Sequence, residues 1–581
     1  MSKHFNISTK VVKEMLIEKP DVLVIGGGAA GVIAAIEAGR NAKVMMVAKD
    51  RVLGGASIQA SGGVSLPGIY EDQEKDVDNF IEDVIKGGAG INNLELVRFL
   101  AQDGVSYISY LEKLGVVFER DNKGKVRVGT KYTEGHSVKR GYNDRRMYHE
   151  MARVLRMNLL QSNVHLLEYT MVFGLCAEDN QVIGAIAYSM LDGKLTYIMP
   201  RSVVLASGGY GQVYQISDNA LSLTGEGASM ALDCGAELID MEMVQFIPLA
   251  FPYPESMLGV FIGMCSLFGP KVKLYNGLGE RFMERYVPEK LELGTRDEVA
   301  RAIYQEILQG RGTKHNAIIV DPTENDRSLL TTYRTATHTV YSMIARIFGE
   351  KAASWESTFE ATPSQHFSSG GVRTNPETRT KCTNLFVVGE ASGGLHGANR
   401  LAGVALLEVI IMGRIAGNSA GKEAQEMKFP AYGEQKLKEY FATEENNLKA
   451  LFNQTTTNML SAKEVKQKIQ KIMWDCGGIV RNESNIKAGI SEIKKLFGQL
   501  NKLNVVNDKT CNYAVIEALE VKHMLVVAES ILTSALLREE SRGAHFRDDF
   551  PVIDPEFSGN FIVSKDFKNN LSVVFEKLKS N

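Results

Sequence analysis

A glycine-rich turn between an apolar strand and a small-residue helix limits the fold of this chain more than any other feature. Residues 21–25 are mostly branched and apolar, which predicts a buried parallel strand. In such a turn the first glycine allows the tight bend, the second lets the backbone approach a pyrophosphate, and the third lets the helix pack on the strand. A dinucleotide-binding α/β fold is therefore predicted, with phosphate contacts at Gly26, Gly28, Ala29, Ala30 and Gly31.

The second predicted strand, residues 43–48, ends without the acidic residue that binds a ribose in many such folds. Ala48, Lys49 and Asp50 stand at its end instead. We predict that Lys49 contacts the cofactor. Asp50 is either the partner of the ribose or a solvated loop residue.

The size and charge of the chain exclude several classes of function. Its 581 residues exceed what one hydrophobic core supports, so we expect several domains. Because 66 basic residues face 69 acidic ones, the chain has no charge excess for binding nucleic acid. No apolar run looks long enough to span a bilayer, and the first twenty residues do not read as a signal peptide. We expect a cytoplasmic protein without direct membrane insertion, attached to a membrane, if at all, through a partner.

The cysteines are scattered and form no Cys-x-x-Cys pair. Their positions are 176, 234, 265, 382, 476 and 511, which is not the ligand spacing of a zinc or iron–sulfur site. We therefore expect no metal site in this chain and interpret nearly all of the cysteines as small buried side chains. An iron–sulfur or other redox centre that supplies electrons would belong to a partner subunit.

Three further glycine-rich patches lie beyond the first turn. Small residues there would let the backbone come close to a flat ring or a sugar chain. Each patch alone is more often an ordinary turn, but together they favour contacts with one cofactor. They are residues 54–57 leading to Gly62 and Gly63, residues 206–209 after a strand predicted over 202–205, and Gly389-Glu390 after a strand predicted over 385–388.

Several motifs, in order along nearly the whole chain, are similar to those of one flavoprotein family. They are residues 21–31, residues 224–227 (Thr-Gly-Glu-Gly), residues 293–297 (Leu-Gly-Thr-Arg-Asp), residues 365–371 (Gln-His-Phe-Ser-Ser-Gly-Gly), residues 389–401, and residues 540–545 (Glu-Ser-Arg-Gly-Ala-His). The chain resembles the flavoprotein subunit of the fumarate reductase and succinate dehydrogenase family, which includes L-aspartate oxidase. The resemblance implies FAD and redox chemistry at a carbon–carbon bond next to a carboxylate.

The resemblance also implies a domain organisation within the α/β class. A Rossmann-like FAD-binding domain is expected over residues 1–245 and 356–425, with an inserted α+β capping domain over 246–355. A helical domain is expected over residues 430–581, helical to the end of the chain. In its clearest helix, Met524, Val527, Ile531 and Ala535 form one apolar stripe, which we interpret as core packing.

Specific roles follow from the resemblance for three residues. Arg296 matches the arginine that transfers the substrate proton, and His366 and Arg400 match the pair that holds a carboxylate over the flavin. Two cationic or donor groups on an anion would fix the double bond for hydride transfer. The predicted FAD contacts beyond the first turn are Lys49, Ser57, Gly62, Gly63, Met171, Ala206, Ser207, Gly208, Glu226, Glu390, Ala405 and Leu406.

The chain departs from the family pattern at three places. No histidine lies between Lys49 and Gly63, whereas the family's covalent members attach FAD through one, so FAD is expected to be non-covalent. Ile247 stands where the family has a histidine for the second carboxylate. The family's Thr-Glu-x-x-Arg stretch, which relays protons, is replaced by residues 264–268, and no Glu or Arg lies between Ser256 and Pro270.

These departures predict a substrate pocket lined by Ile247, Met264 and Cys265, for a monocarboxylic 2-enoate with an apolar tail. Lys271 or Lys273 would restore a dicarboxylate site if either reached the pocket. The remaining hypotheses are a true fumarate reductase or succinate dehydrogenase flavoprotein, a flavoprotein of the adenylylsulfate reductase type, and a non-catalytic flavin subunit that only conducts electrons.

Overall fold

The computed structural model describes residues 16–56, 63–70, 72–127, 135–142, 147–336, 338–429, 433–452, 459–506, 508, 510–566 and 569–578. The strands are β1 (Ile17–Glu18), β2 (Val22–Ile25), β3 (Val44–Val47), β4 (Val64–Ser65), β5 (Gly141–Tyr142), β6 (Val164–Leu167), β7 (Thr170–Glu178), β8 (Gln181–Ser189), β9 (Leu195–Ile198), β10 (Ser202–Leu205), β11 (Leu238–Ile239), β12 (Val244–Ala250), β13 (Phe261–Gly263), β14 (Lys273–Tyr275), β15 (Ile318–Asp321), β16 (Phe359–Ser368), β17 (Gly371–Arg373), β18 (Leu385–Val387), β19 (Ser392–Gly393), β20 (Gly559–Lys565) and β21 (Leu571–Lys577).

The α-helices are α1 (Ala29–Ala38), α2 (Gln73–Gly87), α3 (Leu94–Gly104), α4 (Tyr107–Leu114), α5 (Met147–Gln161), α6 (Glu226–Asp233), α7 (Met283–Tyr286), α8 (Arg296–Leu308), α9 (Leu330–Ala336), α10 (His338–Phe348), α11 (Glu350–Ala353), α12 (Val404–Glu426), α13 (Gly433–Ala450), α14 (Ala462–Cys476), α15 (Glu483–Phe497) and α16 (Tyr513–Leu537). Short 3-10 turns lie at Gly211–Val213, Glu255–Met257, Cys265–Phe268, Leu291–Leu293, Arg327–Leu329, Gly389–Ala391, Leu500–Lys502 and Pro555–Phe557.

A five-stranded parallel sheet organises the FAD-binding part of the chain. Its strand order is β18-β10-β2-β3-β6, and all four neighbouring pairs are parallel. The predicted strands over residues 21–25, 43–48, 202–205 and 385–388 are confirmed to within a residue at each end. Because parallel strands end at the same edge, the glycine-rich turns after β2, β10 and β18 lie side by side.

Helix α12 packs along α1 through small residues. Gly413, Gly417 and Gly421 recur every four residues and therefore share one face. A Cβ atom at Gly417 would lie 2.4 Å from the carbonyl oxygen of Ala34, and one at Gly413 would lie 2.8 Å from that of Ala30. The backbones can approach this closely only because these positions carry no side chain.

The same helix, α12, is long and apolar enough to cross a membrane by length and composition, and it is the single such helix among the described residues. From the sequence we had predicted that no apolar stretch is long enough to span a bilayer. In the structure 67% of its most apolar 18-residue window is buried inside the protein, where it packs against α1.

The capping part is built on a sheet of order β13-β12-β16-β15-β14, with antiparallel neighbours. Strand β12 (Val244–Ala250) begins two residues before the expected start of the cap at residue 246, and β16 (Phe359–Ser368) lies wholly after its expected end at residue 355. The strand β16 thus runs from the cap to the edge of the FAD-binding part.

The C-terminal part contains helices α14, α15 and α16, which pack against one another. All four side chains of the predicted apolar stripe on α16 are fully buried, which confirms the interpretation as core packing. The prediction that the chain is helical to its end was wrong, because residues 559–577 form the hairpin of β20 and β21. This hairpin completes the sheet β19-β17-β11-β20-β21, whose other strands precede the helical domain, so its pairing partners are distant in sequence.

Candidate functional site

The turn between β2 and α1 is held open by two glycines. Gly26 has φ +118°, and a Cβ atom there would lie 2.1 Å from the carbonyl oxygen of Ala206. A Cβ atom at Gly31 would lie 2.1 Å from the carbonyl oxygen of Gly26. Helix α1 begins after Gly28, and no side chain caps it. Its N-terminus is therefore suited to a phosphate group.

The other predicted FAD contacts lie around this edge of the sheet. Ala206, Ser207 and Gly208 follow β10 directly, and Ser207 Oγ is buried without a hydrogen-bond partner among the described residues. Glu390 follows β18 and accepts a hydrogen bond of 3.0 Å from the N–H of Ser368. Ala405 and Leu406 lie in the first turn of α12, Met171 lies in β7 beside the end of β3, and Gly63 precedes β4. Ser57 and Gly62 fall outside the described residues.

Lys49 occupies a buried ionic cluster behind this edge. Its ammonium group lies 2.7 Å from Glu226 Oε1, 3.0 Å from Glu520 Oε1 and 2.8 Å from Thr224 Oγ1. Burial acts to lower the pKa of Lys49, but Glu226 and Glu520 outweigh it and raise the pKa above its ordinary value. An ammonium group has three donors, so all of them are used within the protein. A cofactor contact at Lys49 therefore falls to its backbone.

Asp50 lies on the surface. Its carboxylate accepts a 2.7 Å hydrogen bond from the N–H of the next residue, Arg51. This arrangement favours the second of the two interpretations of Asp50, a solvated loop residue.

FAD is expected to leave the protein intact on denaturation, because no histidine lies between Lys49 and Gly63 for a covalent attachment. The measurement is in-gel flavin fluorescence after denaturing electrophoresis, with absorbance of the supernatant after acid precipitation. We expect a dark protein band and full recovery of flavin in the supernatant. Fluorescence that migrates with the polypeptide would contradict this expectation.

His366 is directed by an irregularity in the cap sheet. Gln245 of β12 pairs with Phe367 of β16, whereas Phe246 pairs with Gln365, so His366 is the extra residue of a β-bulge. Bulges re-aim a side chain relative to its neighbours. The carbonyl of His366 accepts a 2.8 Å hydrogen bond from the side chain of Asn219, which fixes the bulge.

A carboxylate lies directly behind the His366 ring. Nδ1 of His366 is 2.7 Å from Asp218 Oδ2, and the Asp218 side chain is only 5% exposed. One face of the ring is stacked on Phe261 of β13, with 5.9 Å between ring centroids. The ring is thus held in both position and orientation.

A hydrogen-bonded chain links Arg400 to the start of α8. The Arg400 guanidinium donates to Gln245 Oε1 at 3.1 Å, and the Gln245 amide donates to Asn399 Oδ1. Asn399 in turn donates to Asp297 Oδ1 at 3.3 Å, and Asp297 follows Arg296 in the first turn of α8. The three predicted catalytic residues come from β16, α8 and the loop before α12, and both arginines are near enough to His366 to affect its pKa.

Arg400 and Arg296 bring positive charge into a desolvated site. Burial lowers the pKa of Arg400 to about 9, and the neighbouring Arg296 acts in the same direction. Arg400 Nε is buried and has no hydrogen-bond partner among the described residues. Arg296 is the first residue of α8, where the helix dipole disfavours a cation, although Asp297 and Glu298 offset this in the same turn. We call Arg296, His366 and Arg400 the cationic end of the site.

The late motif Glu540 to His545 braces the loop that carries Arg400. The N–H of Ala544 donates to the carbonyl of Ala398 at 2.9 Å, and Gly543 adopts φ +55° against the same backbone. Glu540 is fully buried between Arg538 and Arg542, at 2.8 and 2.7 Å. The C-terminal part thereby fixes the loop from behind.

The predicted substrate wall is only partly as expected. Ile247 is fully buried and lies two residues after Gln245 on the same strand, so both side chains point to the same face. In the part of the chain that the structure describes, Ile247 and Met264 are buried but belong to none of the large apolar cores. Cys265, by contrast, lies in the core of the cap, as does Phe268. We call Ile247, Met264 and Phe261 the apolar wall.

Of the two lysines that could have restored a dicarboxylate site, one is paired with an acid and the other lies on the surface. The ammonium group of Lys273 pairs with Glu324, and Lys271 is exposed. Among the described residues, no group of three or more His, Cys, Asp or Glu side chains is placed to hold a metal ion. Four of the six cysteines are buried, Cys476 is half-buried, and Cys511 is exposed.

Asp218, Gln245 and Phe261 were missed by sequence reasoning. Asp218 lies just before the Thr224 to Gly227 motif, and Gln245 just before the substituted Ile247, but no periodicity marks either residue. Phe261 reads as an ordinary apolar strand residue. The one sequence signal for Asp218 and Gln245 was that each lies near a recognised motif, and this does not show which side chain either residue contacts.

Comparisons with known proteins show the family to which the chain belongs. Residues 21–406 match the family described as FAD binding domain, and residues 466–579 match the family described as fumarate reductase flavoprotein C-term. The chain is 33% identical over 548 residues to a subunit of fumarate reductase (CoM/CoB) from Methanothermobacter marburgensis, covering 94% of this chain and 97% of that protein. The chain belongs to the fumarate reductase and succinate dehydrogenase flavoprotein family. This family membership confirms FAD as the cofactor and an oxidoreductase activity on carbon–carbon bonds.

Solved structures of the fumarate reductase flavoprotein family share the whole fold. A variant of the E. coli quinol fumarate reductase FrdA matches with a TM-score of 0.88 and 26% identity, covering 98% of both chains. Adenylylsulfate reductase of Archaeoglobus fulgidus matches with a TM-score of 0.69 and 20% identity, covering 97% of both chains, which shows a common fold alone.

Proposed function

We propose that this flavoprotein reduces the carbon–carbon double bond of a monocarboxylic 2-enoate that has an apolar tail. The observation that carries the proposal is the division of the site into a cationic end and an apolar wall. A carboxylate at the cationic end would form charge-assisted hydrogen bonds with Arg400 and His366. The tail would then lie against Phe261 and Met264, the members of the apolar wall that keep accessible surface.

The energetics favour one carboxylate rather than two. A second carboxylate against the apolar wall would lose water without gaining a cation, at a cost of several kcal/mol. An alkyl or aryl group in the same place would gain about 25 cal/mol for each Å² of apolar surface that it buries. Because these two free-energy changes have opposite signs, the apolar wall would determine which substrate is preferred.

The chain's own residues bind and orient the substrate and supply the proton. Reduction of the double bond adds one hydride and one proton, and FAD, when bound, supplies the hydride chemistry. Arg400 and His366 hold the carboxylate, and Arg296 is the proposed proton donor. Gln245 and Asn399 hold Arg400 and Asp297 in register, so the donor and the carboxylate site keep a fixed separation.

Electrons would come from a redox partner, for which an iron–sulfur subunit or a soluble donor are the candidates. The Methanothermobacter relative is named as one subunit of its enzyme, which supports a complex of several chains here too.

Fumarate itself is the second candidate substrate. It is favoured by the name of the same relative, whose identity to this chain is 33% and extends over nearly both full lengths. To bind fumarate, the site would have to place one of the two carboxylates against the apolar wall. The free-energy cost of removing that carboxylate from water is the reason that fumarate is the second candidate.

The two substrates are separated by their specificity constants. We expect kcat/KM for trans-cinnamate or crotonate to exceed that for fumarate by about tenfold or more, since a single unpaired carboxylate costs more than one decade of affinity. The assay uses the FAD-loaded chain with reduced methyl viologen as electron donor. A kcat/KM for fumarate that is ten times the higher of the values for cinnamate and crotonate would contradict the proposal.

A matched pair of variants tests the wall directly. Ile247→His introduces a cation-forming side chain and should raise the ratio of fumarate to cinnamate turnover. Ile247→Asn introduces a polar group of similar size without a charge, and should shift the ratio far less. Equal shifts in the two variants would mean that pocket polarity, rather than charge, sets the preference.

A further inference from the structure

The Asp218–His366 pair is a structural feature that the binding of a carboxylate does not by itself require. Asp218 lies in the loop after the 3-10 turn Gly211–Val213, and its two oxygens are both engaged. Oδ2 faces His366 Nδ1 at 2.7 Å, and Oδ1 accepts from the Asn219 side chain at 2.9 Å. The same Asn219 amide donates to the His366 carbonyl at 2.8 Å. The aspartate and the bulge are therefore tied to each other.

The charged groups around His366 shift its pKa in opposite directions. Burial lowers the pKa of His366 below its ordinary value, and Arg400 and Arg296 act in the same direction, while Asp218 opposes them. Glu390, whose pKa burial raises to about 7, lies near Arg400 and Asp218. The lowered pKa favours the neutral imidazole, and in that form Nδ1 carries the hydrogen because a carboxylate only accepts.

An anion at the cationic end changes this balance. Neutral His366 with its hydrogen on Nδ1 has a lone pair on Nε2, which would repel a carboxylate oxygen placed against it. An anion also offsets the charges of Arg400 and Arg296, which are two of the causes that keep the ring neutral. A proton on Nε2 would turn the repulsion into a charge-assisted hydrogen bond, and Asp218 would stabilise the imidazolium ion.

We propose that Asp218 is a positioning residue that lets His366 take up one proton from solvent when a carboxylate binds between His366, Arg400 and Arg296. The inference rests on the carboxylate-binding part of the proposed function. The proton is bound at Nε2, and no carbon bond forms or breaks in this step. The proton is then stored beside Arg296, in a site where residues 264–268 contain no acid to hold one.

The test is a count of protons taken up on binding. The oxidised FAD-loaded protein is titrated with sodium cinnamate and with sodium fumarate at pH 7.5, by calorimetry in phosphate and in Tris buffer. The dependence of the heat on buffer ionisation enthalpy gives the protons bound. We expect about one proton per site, and a dissociation constant that rises about tenfold per pH unit above pH 7. Asp218→Asn should take up few protons and show a nearly flat pH dependence.

Two variants serve as controls. Glu360→Gln removes the carboxylate partner of another histidine, His315 of the cap, whose Nδ1 lies 2.8 Å from Glu360. Its proton count should equal that of the unmodified protein. Glu390→Gln tests the neighbouring carboxyl group. Loss of uptake in Glu390→Gln together with normal uptake in Asp218→Asn would overturn the inference.

The outcomes separate this inference from the proposed function. A flavin spectrum that neither carboxylate perturbs would contradict the carboxylate site itself. A perturbed spectrum without proton uptake would overturn only the role of Asp218 and His366. If Asp218→Asn failed to retain FAD, the variant His366→Gln would decide, since uptake that persists without the imidazole contradicts the inference.

Discussion

Replacing Arg296 by lysine is expected to leave FAD bound and to lower kcat by a factor of about 100 to 10,000, the range for loss of a positioned acid. Lysine keeps the positive charge at the start of α8, so the electrostatics of that helix end are nearly unchanged. It does not reproduce the planar guanidinium, its set of donors or its high pKa. Arg296 also lowers the pKa of both Arg400 and His366, so it lies near both residues.

The measurement is kcat with reduced methyl viologen, alongside the flavin absorbance per protein. The control is Arg301→Lys, on the same helix, where the guanidinium lies over the ring of Phe546 at 4.4 Å and not in the cationic end. We expect that variant to work at close to the normal rate. A kcat for Arg296→Lys within threefold of normal would show that another group donates the proton.

The variant Gly26→Ala is expected to purify with less than about a tenth of its FAD. At φ +118° any other residue is strained, which costs about 1–3 kcal/mol. The added Cβ atom would also lie 2.1 Å from the carbonyl oxygen and 2.5 Å from the carbonyl carbon of Ala206. Since both positions are backbone atoms at the end of β10, relief requires β2 and β10 to move apart where FAD is expected to contact them.

The check is the ratio of flavin to protein absorbance in the purified variant, with its melting temperature. Gly498→Ala is the matched control, because that residue has φ −64° and its added Cβ atom would lie 3.5 Å from the nearest atom. It ends α15, away from the glycine-rich turns. Full FAD content in Gly26→Ala would mean that the turn adapts to a side chain.

The local sequence pattern was sufficient to predict the FAD-binding part of the fold. The strand over residues 22–25, the glycines and helix α1 are contiguous, and the physical demands on them are local: a tight turn, a close backbone approach and a small-residue packing face. The patches after β10 and β18 could be placed together because parallel strands end at one edge. Arg296, His366 and Arg400 were predicted through their motifs, and in the structure both arginines lie near enough to His366 to affect its pKa.

The C-terminal hairpin and the role of Cys265 could not be derived in this way. Strand β20 pairs with β11, more than three hundred residues earlier, and β21 pairs with β20, so the stability of the hairpin comes from a partner that no local window contains. Cys265 and Met264 are adjacent in sequence, yet Cys265 lies in the cap core and Met264 does not. Which neighbour points inward depends on the 3-10 turn at Cys265–Phe268, a matter of packing.

The sequence by itself determined the nucleotide-binding unit and the family motifs, because each is a property of residue type and spacing. Only the tertiary structure decided what surrounds His366. A one-residue bulge in β16 turns the ring, and Asp218 and Phe261 reach it from segments about 150 and 100 residues earlier. Hydrogen bonds, ring stacking and the mutual effects of Arg296 and Arg400 depend on distance in space, which residue order does not specify.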